Sequence, residues 1–161
     1  MSKFTSYYQS PLGMLEIEAT ETALVAVKFM EEEIVCYVAE KKGSDLIDRT
    51  NLQLTEYFES KRKQFDLPLE FAGTEFQQQV WQELTHIQFG QTMSYGRFSE
   101  LLGSKQLVRA AGTAIGRNPI GIIVPCHRII GSQGDLVGYG GGLWRKQWLL
   151  EHEGCQKLLP W

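Results

Sequence analysis

Three side chains capable of chemistry lie side by side in the segment IVPCHRII, residues 123–130, between aliphatic residues. A cysteine becomes a strong nucleophile when its thiol loses a proton, and nearby positive charge favours that loss. His127 and Arg128 directly follow Cys126, so the sequence predicts a positive potential at the thiol. Pro125 removes a backbone donor and argues against a central strand. Two interpretations stay open at this point: Cys126 is a nucleophile, or it is a small buried apolar residue, the commoner fate of a free cysteine.

A histidine that acts as a base needs an acceptor that orients its ring. The last predicted helix offers Glu151 and Glu153, and we favour Glu153 because it directly precedes Gly154, where the helix is expected to end. Glu151 is expected on a solvated face. Neighbours in an extended strand face opposite sides, so cooperation between Cys126 and His127 requires a turn or a bridging water. From the pattern alone, an exposed glutamate at a helix end is the simpler interpretation of Glu153.

The other cysteines add no second chemical site. Cys36, Cys126 and Cys155 are widely spaced, without a CxxC pair or a Cys/His spacing that suits zinc. The sequence therefore predicts free thiols and neither a disulfide framework nor a metal site. No apolar stretch reaches the roughly 18 residues that span a bilayer, and the N-terminus lacks the apolar segment of a signal peptide. We expect a cytoplasmic protein without membrane contact, in a compartment that keeps thiols reduced.

Charge is unevenly distributed along the chain. The formal net charge is −3, but residues 1–72 carry 13 acidic and 8 basic side chains, whereas residues 73–161 carry 6 acidic and 8 basic ones. A basic face confined to one half can dock on phosphates although the whole chain is acidic. The distribution therefore permits contact between the second half and nucleic acid.

The first 72 residues predict a small domain of strands and one helix. Three short runs, FTSYYQS, MLEIEAT and ALVAVKFM, are typical of strands, and a Ser-Pro-Leu-Gly turn separates the first two. A polar stretch follows, and apolar residues from Leu46 to Phe58 then predict a helix before an extended connector, FDLPLEF. We place a domain boundary near Gly73, which divides the chain into residues 1–72 and 73–161.

The second half has a mostly helical pattern. Three helices are predicted at its start, with expected N-caps at Thr74, Ser94 and Ser104. Two short helices joined through a glycine turn, here Gly103, are the pattern of a helix-turn-helix. The third helix has small residues from Ala110 to Ala114, which allow its backbone to approach another molecule closely. After the IVPCHRII segment come a glycine-rich loop and a last helix, LWRKQWLLEHEG.

Four stretches of the second half closely resemble the O6-alkylguanine-DNA alkyltransferases: SYGRFSELLG (94–103), VRAAGTAIGRNP (108–119), IVPCHRIIGSQG (123–134) and GYGGGLWRKQWLLEHEG (138–154). The PCHR motif, with the downstream GGL and WLLxHEG, is highly specific. The resemblance is looser over the first domain. It implies an α+β fold, with a small N-terminal ribonuclease-H-like α/β domain followed by a mostly helical C-terminal domain that contains a helix-turn-helix.

The resemblance implies DNA repair by direct reversal without a cofactor. O6-alkylguanine is flipped out of double-stranded DNA, and its alkyl group passes irreversibly to Cys126, so that each molecule reacts once. His127 acts as the base through a water, Glu153 holds the imidazole, and Asn118 braces the turn that leads to the site. A monomer in solution is expected. Activity on O4-alkylthymine, the preferred alkyl size and cooperativity on DNA are left open.

The resemblance also implies two contacts to DNA. Arg109 enters the base stack from the minor groove and fills the space that the flipped base leaves. Tyr95 crowds the 3′ phosphate and reaches the guanine ring. Taken from the residue pattern alone, Arg109 is a surface charge and Tyr95 a half-buried aromatic residue.

Further contacts are implied for the flipped guanine. The backbone carbonyls of Cys126 and Ile129 accept hydrogen bonds from its amino group. The Gly140 amide lies near O6, and Tyr139 lines the pocket. Two positions depart from the family pattern, since Gly140 stands where serine is frequent and Trp144 replaces what is often a smaller residue. Both departures concern the breadth of substrates and leave the reaction intact.

Three other functions fit parts of the sequence. An alkyltransferase-like protein that binds lesions and flags them without repair usually has tryptophan in place of Cys126. A thiol hydrolase built on Cys126 and His127 leaves the helix-turn-helix without a purpose. A helix-turn-helix regulator leaves the PCHR motif unexplained. Repair is therefore our principal hypothesis, and lesion binding is the alternative.

Overall fold

The structure, a computed structural model, describes residues 2–31 and 44–155. Residues 32–43, which include Cys36 and most of the predicted polar stretch, lie outside the described residues. The chain forms two compact units, Met1–Ala72 with Pro119–Ile123, and Gly73–Asn118 with Val124–Trp161. The boundary near Gly73 stays a prediction. The compact units differ from the predicted division in one respect, because Pro119–Ile123, which follow the predicted boundary, belong to the first unit.

A three-stranded antiparallel sheet forms the core of the first unit. Strands β1 (Phe4–Ser10), β2 (Gly13–Ala19) and β3 (Leu24–Phe29) lie in the order β1-β2-β3. The predicted turn between the first two strands is present, and the Ser10 hydroxyl donates to the Gly13 carbonyl at 2.6 Å. Alternate residues of β2 point into the core, where Leu15, Ile17 and Ala19 are inaccessible to solvent.

Helix α1 (Asp45–Phe58) packs against β1 and β2. Its start is fixed by Ser44, whose side chain accepts a hydrogen bond from the Ile47 amide. Its inward face carries Leu46, Ile47, Leu54 and Tyr57, all buried. The predicted helix is therefore present, and its amphipathic pattern is the reason that it covers the sheet.

The segment Pro119–Ile123 belongs to the first unit because it runs beside β3. The Val27 amide donates to the Pro119 carbonyl at 3.0 Å, and the Gly121 amide donates to the Val27 carbonyl at 2.9 Å. Ile122 has φ 69° and is almost fully buried. A β-branched residue in this left-handed region costs about 1–3 kcal/mol, so the surrounding contacts must hold it there. The chain leaves this segment directly into the IVPCHRII motif.

The predicted helix-turn-helix is present in the second unit. Helix α2 (Glu75–Leu84) begins with a capping box formed by Thr74 and Gln77. Helix α3 (Tyr95–Leu101) is capped by Ser94, and α4 (Val108–Gly116) follows a turn. The third predicted helix was expected to open at Ser104. Instead, a 3-10 turn, Lys105–Leu107, comes first, because the Ser104 side chain binds the Gln106 amide and closes a tighter loop.

Helices α2 and α4 pack against each other through apolar side chains of both helices. The Trp81 indole N–H also donates to the Ala114 carbonyl at 2.8 Å, which fixes α4 against α2. Two-residue strands β4 (Met93–Ser94) and β5 (Ile129–Ile130) pair in parallel and connect the start of α3 to the segment after Cys126. Helix α5 (Leu143–His152) ends the described chain, with Gly154 at φ 74°.

The arrangement confirms the predicted α+β class, with a small sheet-bearing unit followed by a mostly helical one. Within the described residues, no helix is long and apolar enough to cross a membrane.

Candidate functional site

Cys126, His127 and Arg128 form a single 3-10 turn, and their side chains are buried. The turn is closed by the Arg128 amide, which donates to the Pro125 carbonyl at 3.0 Å. The Ile129 amide in turn donates to the Cys126 carbonyl. The sequence argued against a central strand here and left a turn or a bridging water open; the structure has the turn, and only Ile129–Ile130 is extended. Because of the turn, three successive side chains lie within one site, where a strand would have sent them to opposite faces.

Asn118 holds the thiol directly. Its side-chain amide donates to Cys126 Sγ at 3.2 Å and to the Val124 carbonyl at 2.9 Å. The bond to the Val124 carbonyl is compatible with the bracing role that the family resemblance implies for Asn118, and the bond to Sγ was not foreseen. Burial raises the pKa of the Cys126 thiol, although the Asn118 bond, the charge of Lys146 and backbone amides oppose that increase. In the free protein the group therefore holds its proton at neutral pH, and it needs a base to become a thiolate.

His127 and Glu153 form the predicted pair. His127 Nε2 lies 2.8 Å from Glu153 Oε2, and both side chains are fully buried. Burial lowers the pKa of the His127 imidazole, and the charges of Arg128 and Lys146 lower it further, against the opposing effect of Glu153. The ring is therefore neutral. Since a carboxylate only accepts hydrogen bonds, Nε2 carries the ring hydrogen and Nδ1 is the basic nitrogen.

His127 Nδ1 is the atom that is left for proton transfer. It is buried and has no hydrogen-bond partner among the described residues. Cys126 precedes it in the turn, and Glu153 is held on the opposite ring nitrogen. A neutral imidazole with a bare nitrogen can take a proton from a thiol, directly or through one water.

Arg128 binds the same glutamate. Its Nε donates to Glu153 Oε1 at 2.8 Å and its Nη2 to Oε2 at 3.0 Å, while Nη1 donates to the Ile87 carbonyl. Burial alone would raise the pKa of Glu153, but the charges and hydrogen bonds of His127 and Arg128 outweigh it and hold the pKa well below its usual range. Glu153 is therefore ionised throughout the physiological range. Glu151 is exposed, as expected.

The prediction that Arg128 supplies positive potential at the thiol is wrong, because its guanidinium is engaged by Glu153. The nearby cation is Lys146 of α5, whose side chain is fully buried. Its ammonium donates to the carbonyls of Val137 at 2.9 Å and Gly138 at 3.1 Å. Burial lowers the pKa of Lys146 to about 8, against the opposing effects of Cys126 and Asp135.

Lys146 and Tyr95 fasten the loop between β5 and α5. The Tyr95 hydroxyl donates to the Val137 carbonyl at 3.2 Å, so the two side chains share one acceptor. The Tyr95 ring also lies 3.8 Å from the Cβ position at Gly112, which places it against α4. Burial, and secondarily the neighbouring Cys126, raises the pKa of Tyr95. Tyr95 therefore contacts both α4 and the loop between β5 and α5.

The remaining predicted substrate contacts lie on this loop and on β5. Ile129 is fully buried, and Tyr139 is partly buried with its pKa raised well above the usual value by burial and by Cys126. The Gly140 amide has no acceptor among the described residues, so it can donate to a bound molecule. A Cβ at Gly140 would meet nothing nearer than the Gly116 carbonyl at 3.6 Å. The backbone therefore does not require glycine there, and a serine would fit.

Arg109 lies in the first turn of α4 with an exposed side chain that makes no ion pair among the described residues. The exposed face of α4 carries small side chains. Ala110, Thr113 and Gly116 lie on it at helical spacing. Trp144 is 55% exposed, with the Arg145 guanidinium 4.8 Å from the centre of its ring. No group of three or more His, Cys, Asp or Glu residues in the described chain could hold a metal ion.

Sequence reasoning missed Lys146 and the contacts of Arg128. Both are charged residues in helical or motif context, where exposure is the usual expectation. For Arg128, the position between His127 and the apolar Ile129–Ile130 was the available signal of burial. For Lys146 no local signal existed, because its partners are carbonyls of a loop.

Comparisons with known proteins agree with the site. Residues 75–155 match the model of the 6-O-methylguanine DNA methyltransferase, DNA binding domain, and residues 3–71 match that of the ribonuclease-like domain of the same family. The methylated-DNA–protein-cysteine methyltransferase of Methanosarcina acetivorans is 39% identical over 153 residues, 94% of this chain and 98% of that protein. The protein of the same name from Mycobacterium leprae is 54% identical over 106 residues, which span 66% of this chain but only 64% of that protein.

A solved structure is similar over nearly the whole chain. The crystal structure of Mycobacterium tuberculosis OGT in complex with DNA gives a TM-score of 0.84 at 38% identity, covering 93% of this chain and 92% of that one. This chain belongs to the 6-O-methylguanine DNA methyltransferase family.

Proposed function

We propose that this protein repairs DNA by direct reversal, moving the alkyl group of O6-alkylguanine in double-stranded DNA onto Cys126. The observation that carries the proposal is the bare Nδ1 of His127 in the turn that holds the thiol, with the opposite ring nitrogen fixed by Glu153. This arrangement supplies a base beside a buried nucleophile. It stands in the same unit as the helix-turn-helix.

The chemistry follows from the protonation states. His127 Nδ1 takes the thiol proton, through a water where the geometry requires one, and leaves a thiolate on Cys126. The sulfur attacks the alkyl carbon, an S–C bond forms, and the bond from that carbon to O6 breaks with its electron pair going to the guanine. A hydrogen bond from the Gly140 amide stabilises the charge that develops on O6. The guanine then takes up a proton, and the relay loses one to solvent.

The product explains why the reaction runs once. A thioether offers neither a thiolate nor a good leaving group, so Cys126 is consumed. The protein acts as a stoichiometric reagent and needs no redox partner. Asn118 contributes by stabilising the thiolate through the hydrogen bond that it already makes to Sγ.

Access to the reacting carbon requires that the base leave the stack, at a cost of a few kcal/mol. Arg109 is exposed and makes no ion pair with any residue that the structure describes, so it is suited to enter the minor groove and fill the vacated space. The small residues on the exposed face of α4 allow the close approach that this insertion requires. Readout in the minor groove is degenerate, which suits damage that occurs in any sequence. A monomeric, cytoplasmic protein remains our prediction.

Mass spectrometry tests the proposal. The protein is incubated with duplex DNA that contains one O6-methylguanine and is then weighed intact and after digestion. We expect one methyl group per molecule, located on Cys126, in the wild type and in the control variant Cys155→Ser, and none in Cys126→Ser. A wild-type protein that binds the lesion but stays unmodified would refute repair and favour the lesion-binding alternative.

A further inference from the structure

Arg128 is bound to the glutamate of the relay more extensively than the histidine is. It contacts both oxygens of Glu153, at 2.8 and 3.0 Å, whereas His127 contacts one, at 2.8 Å. Its Nη1 donates to the carbonyl of Ile87, in the turn that follows α2, so a third contact also holds the guanidinium. This is the bidentate geometry that an arginine and a carboxylate prefer. A residue with these contacts controls the position and the charge of Glu153 together.

The charges of the three buried groups determine where a proton can reside. Arg128 and Glu153 carry opposite charges, so with a neutral His127 the group has no net charge. Protonating the imidazole would leave one uncompensated positive charge in a site that also contains the Lys146 ammonium. Without Arg128, Glu153 would be a buried anion, and a proton on His127 would then neutralise it. Uncompensated buried charge is strongly unfavourable, so the proton follows the charge balance.

We propose that Arg128 is a positioning residue that sets the resting state of the relay: its charge compensates Glu153, so that His127 is kept as a neutral imidazole with Nδ1 free to accept the thiol proton. The inference rests on the proposed function, because a neutral base has a use only if Cys126 must lose its proton. It adds to that function a role for Arg128, which keeps His127 in the protonation state that can accept the thiol proton.

The other charged groups facing His127 do not replace Arg128. Lys146 comes from α5, but its donors go to the carbonyls of Val137 and Gly138 and not to Glu153. Cys126 lies in the same turn and, as a thiol, carries no charge at neutral pH. Arg128 is therefore the compensating charge that touches the carboxylate within the described chain.

Histidine titration by NMR tests this inference on the free protein, without DNA. The chain has three histidines, so isotope-labelled imidazoles give a spectrum that His127→Gln can assign. In the wild type we expect His127 neutral at pH 7, with hydrogen on Nε2, because burial lowers its pKa. In Arg128→Gln its titration midpoint rises by about one to three pH units, the range for one charge at contact distance. Arg128→Lys, which keeps the charge but not the fork, stays close to the wild type.

A matched arginine–glutamate pair supplies the control. Arg62 contacts Glu56 Oε1 at 3.3 Å in the other unit, so Arg62→Gln removes the same charge and leaves the His127 midpoint unchanged. An imidazolium at neutral pH in the wild type, or an unshifted midpoint in Arg128→Gln, overturns the inference. If Arg128→Gln does not fold, a protonated His127 at neutral pH in Arg128→Lys overturns the inference instead. A protein that titrates as expected but takes no methyl group would refute the proposed function alone.

Discussion

Lys146→Met removes the buried positive charge near Cys126 and keeps most of the volume of the side chain. The charge is unfavourable in the fold: the pKa of Lys146 falls from its ordinary 10.5 to about 8 because of burial. That difference corresponds to about 3 kcal/mol of unfolding free energy. The substitution also removes hydrogen bonds to the carbonyls of Val137 and Gly138. Their loss costs about 1–2 kcal/mol in total, since Val137 keeps its bond from Tyr95 and Gly138 is exposed to water.

The variant is therefore expected to be more stable than the wild type, by about 1–2 kcal/mol at pH 7. The sign depends on pH in a defined way. Below pH 8 both the folded and the unfolded lysine are charged, so the full cost is present. Between pH 8 and 10.5 the folded wild type releases its proton while the unfolded chain keeps it, and the wild type gains stability. The advantage of Lys146→Met should thus shrink by about 2 kcal/mol at pH 9.5.

The same substitution should slow alkylation. Loss of the Lys146 charge raises the pKa of Cys126, so the thiolate population falls, about tenfold for each pKa unit. The two assays are urea unfolding at pH 7 and 9.5, and the rate of reaction with free O6-benzylguanine, which needs no DNA contact. Lys61→Met is the control, because Lys61 is an exposed partner of Glu59 and its loss should leave stability almost unchanged. A variant that is less stable at pH 7, with a pH-independent difference, would refute the reasoning about burial.

Three further substitutions test separate parts of the site. Arg109→Ala should slow repair of duplex DNA at least about tenfold while leaving the reaction with free O6-benzylguanine unchanged, because only the duplex requires the base to be displaced; equal losses on both substrates would contradict this role. Asn118→Ala should lower the unfolding free energy by about 1 kcal/mol, because it removes one of the two hydrogen bonds that the Val124 carbonyl accepts, the other coming from the Cys126 amide. It should also raise the pKa of Cys126, measured from the pH dependence of iodoacetamide labelling, and an unchanged thiol titration would exclude the Sγ contact. Burial lowers the pKa of His127 in the fold, so below pH 6.5 the unfolded chain binds a proton that the folded chain does not. Wild-type stability then falls by up to about 1.4 kcal/mol per pH unit. His127→Gln should lack this component in urea unfolding between pH 7 and 5.5, and the same pH dependence in both proteins would contradict the reasoning.

Local signals predicted the helix starts well. Thr74 and Ser94 were identified as N-caps from residue type and position, and both side chains accept the expected amide hydrogen bonds. Ser104 carries the same signal but closes a 3-10 turn, because its hydroxyl oxygen accepts from the amide two residues later and not three. The capping residue type predicts where a helix begins. Whether an α-helix or a 3-10 turn follows depends on which amide the capping side chain binds.

The environment of the site could be predicted only in part. The partnership of His127 with Glu153 followed from the position of the glutamate at a helix end and from the family resemblance. The turn at Cys126 did not, since an apolar run flanking PCHR is equally typical of a strand. Lys146 and Arg128 owe their burial to loop carbonyls and to a carboxylate distant in sequence, and periodicity carries no information about such partners. Charged residues become buried through tertiary contacts that the local sequence pattern does not reveal.

The course of residues 119–123 has a consequence for modularity. This stretch is hydrogen bonded to Val27 of β3, and its side chains Ile120 and Ile122 are almost inaccessible to solvent. A fragment cut at the sequence boundary would keep the nucleophile but lose the strand that shields the residues immediately before it. Two isoleucines, one of them in a left-handed conformation that needs outside support, would then be uncovered a few positions from Cys126. Residues 119–123 therefore depend on β3 for their burial, although they follow the sequence boundary by more than forty positions.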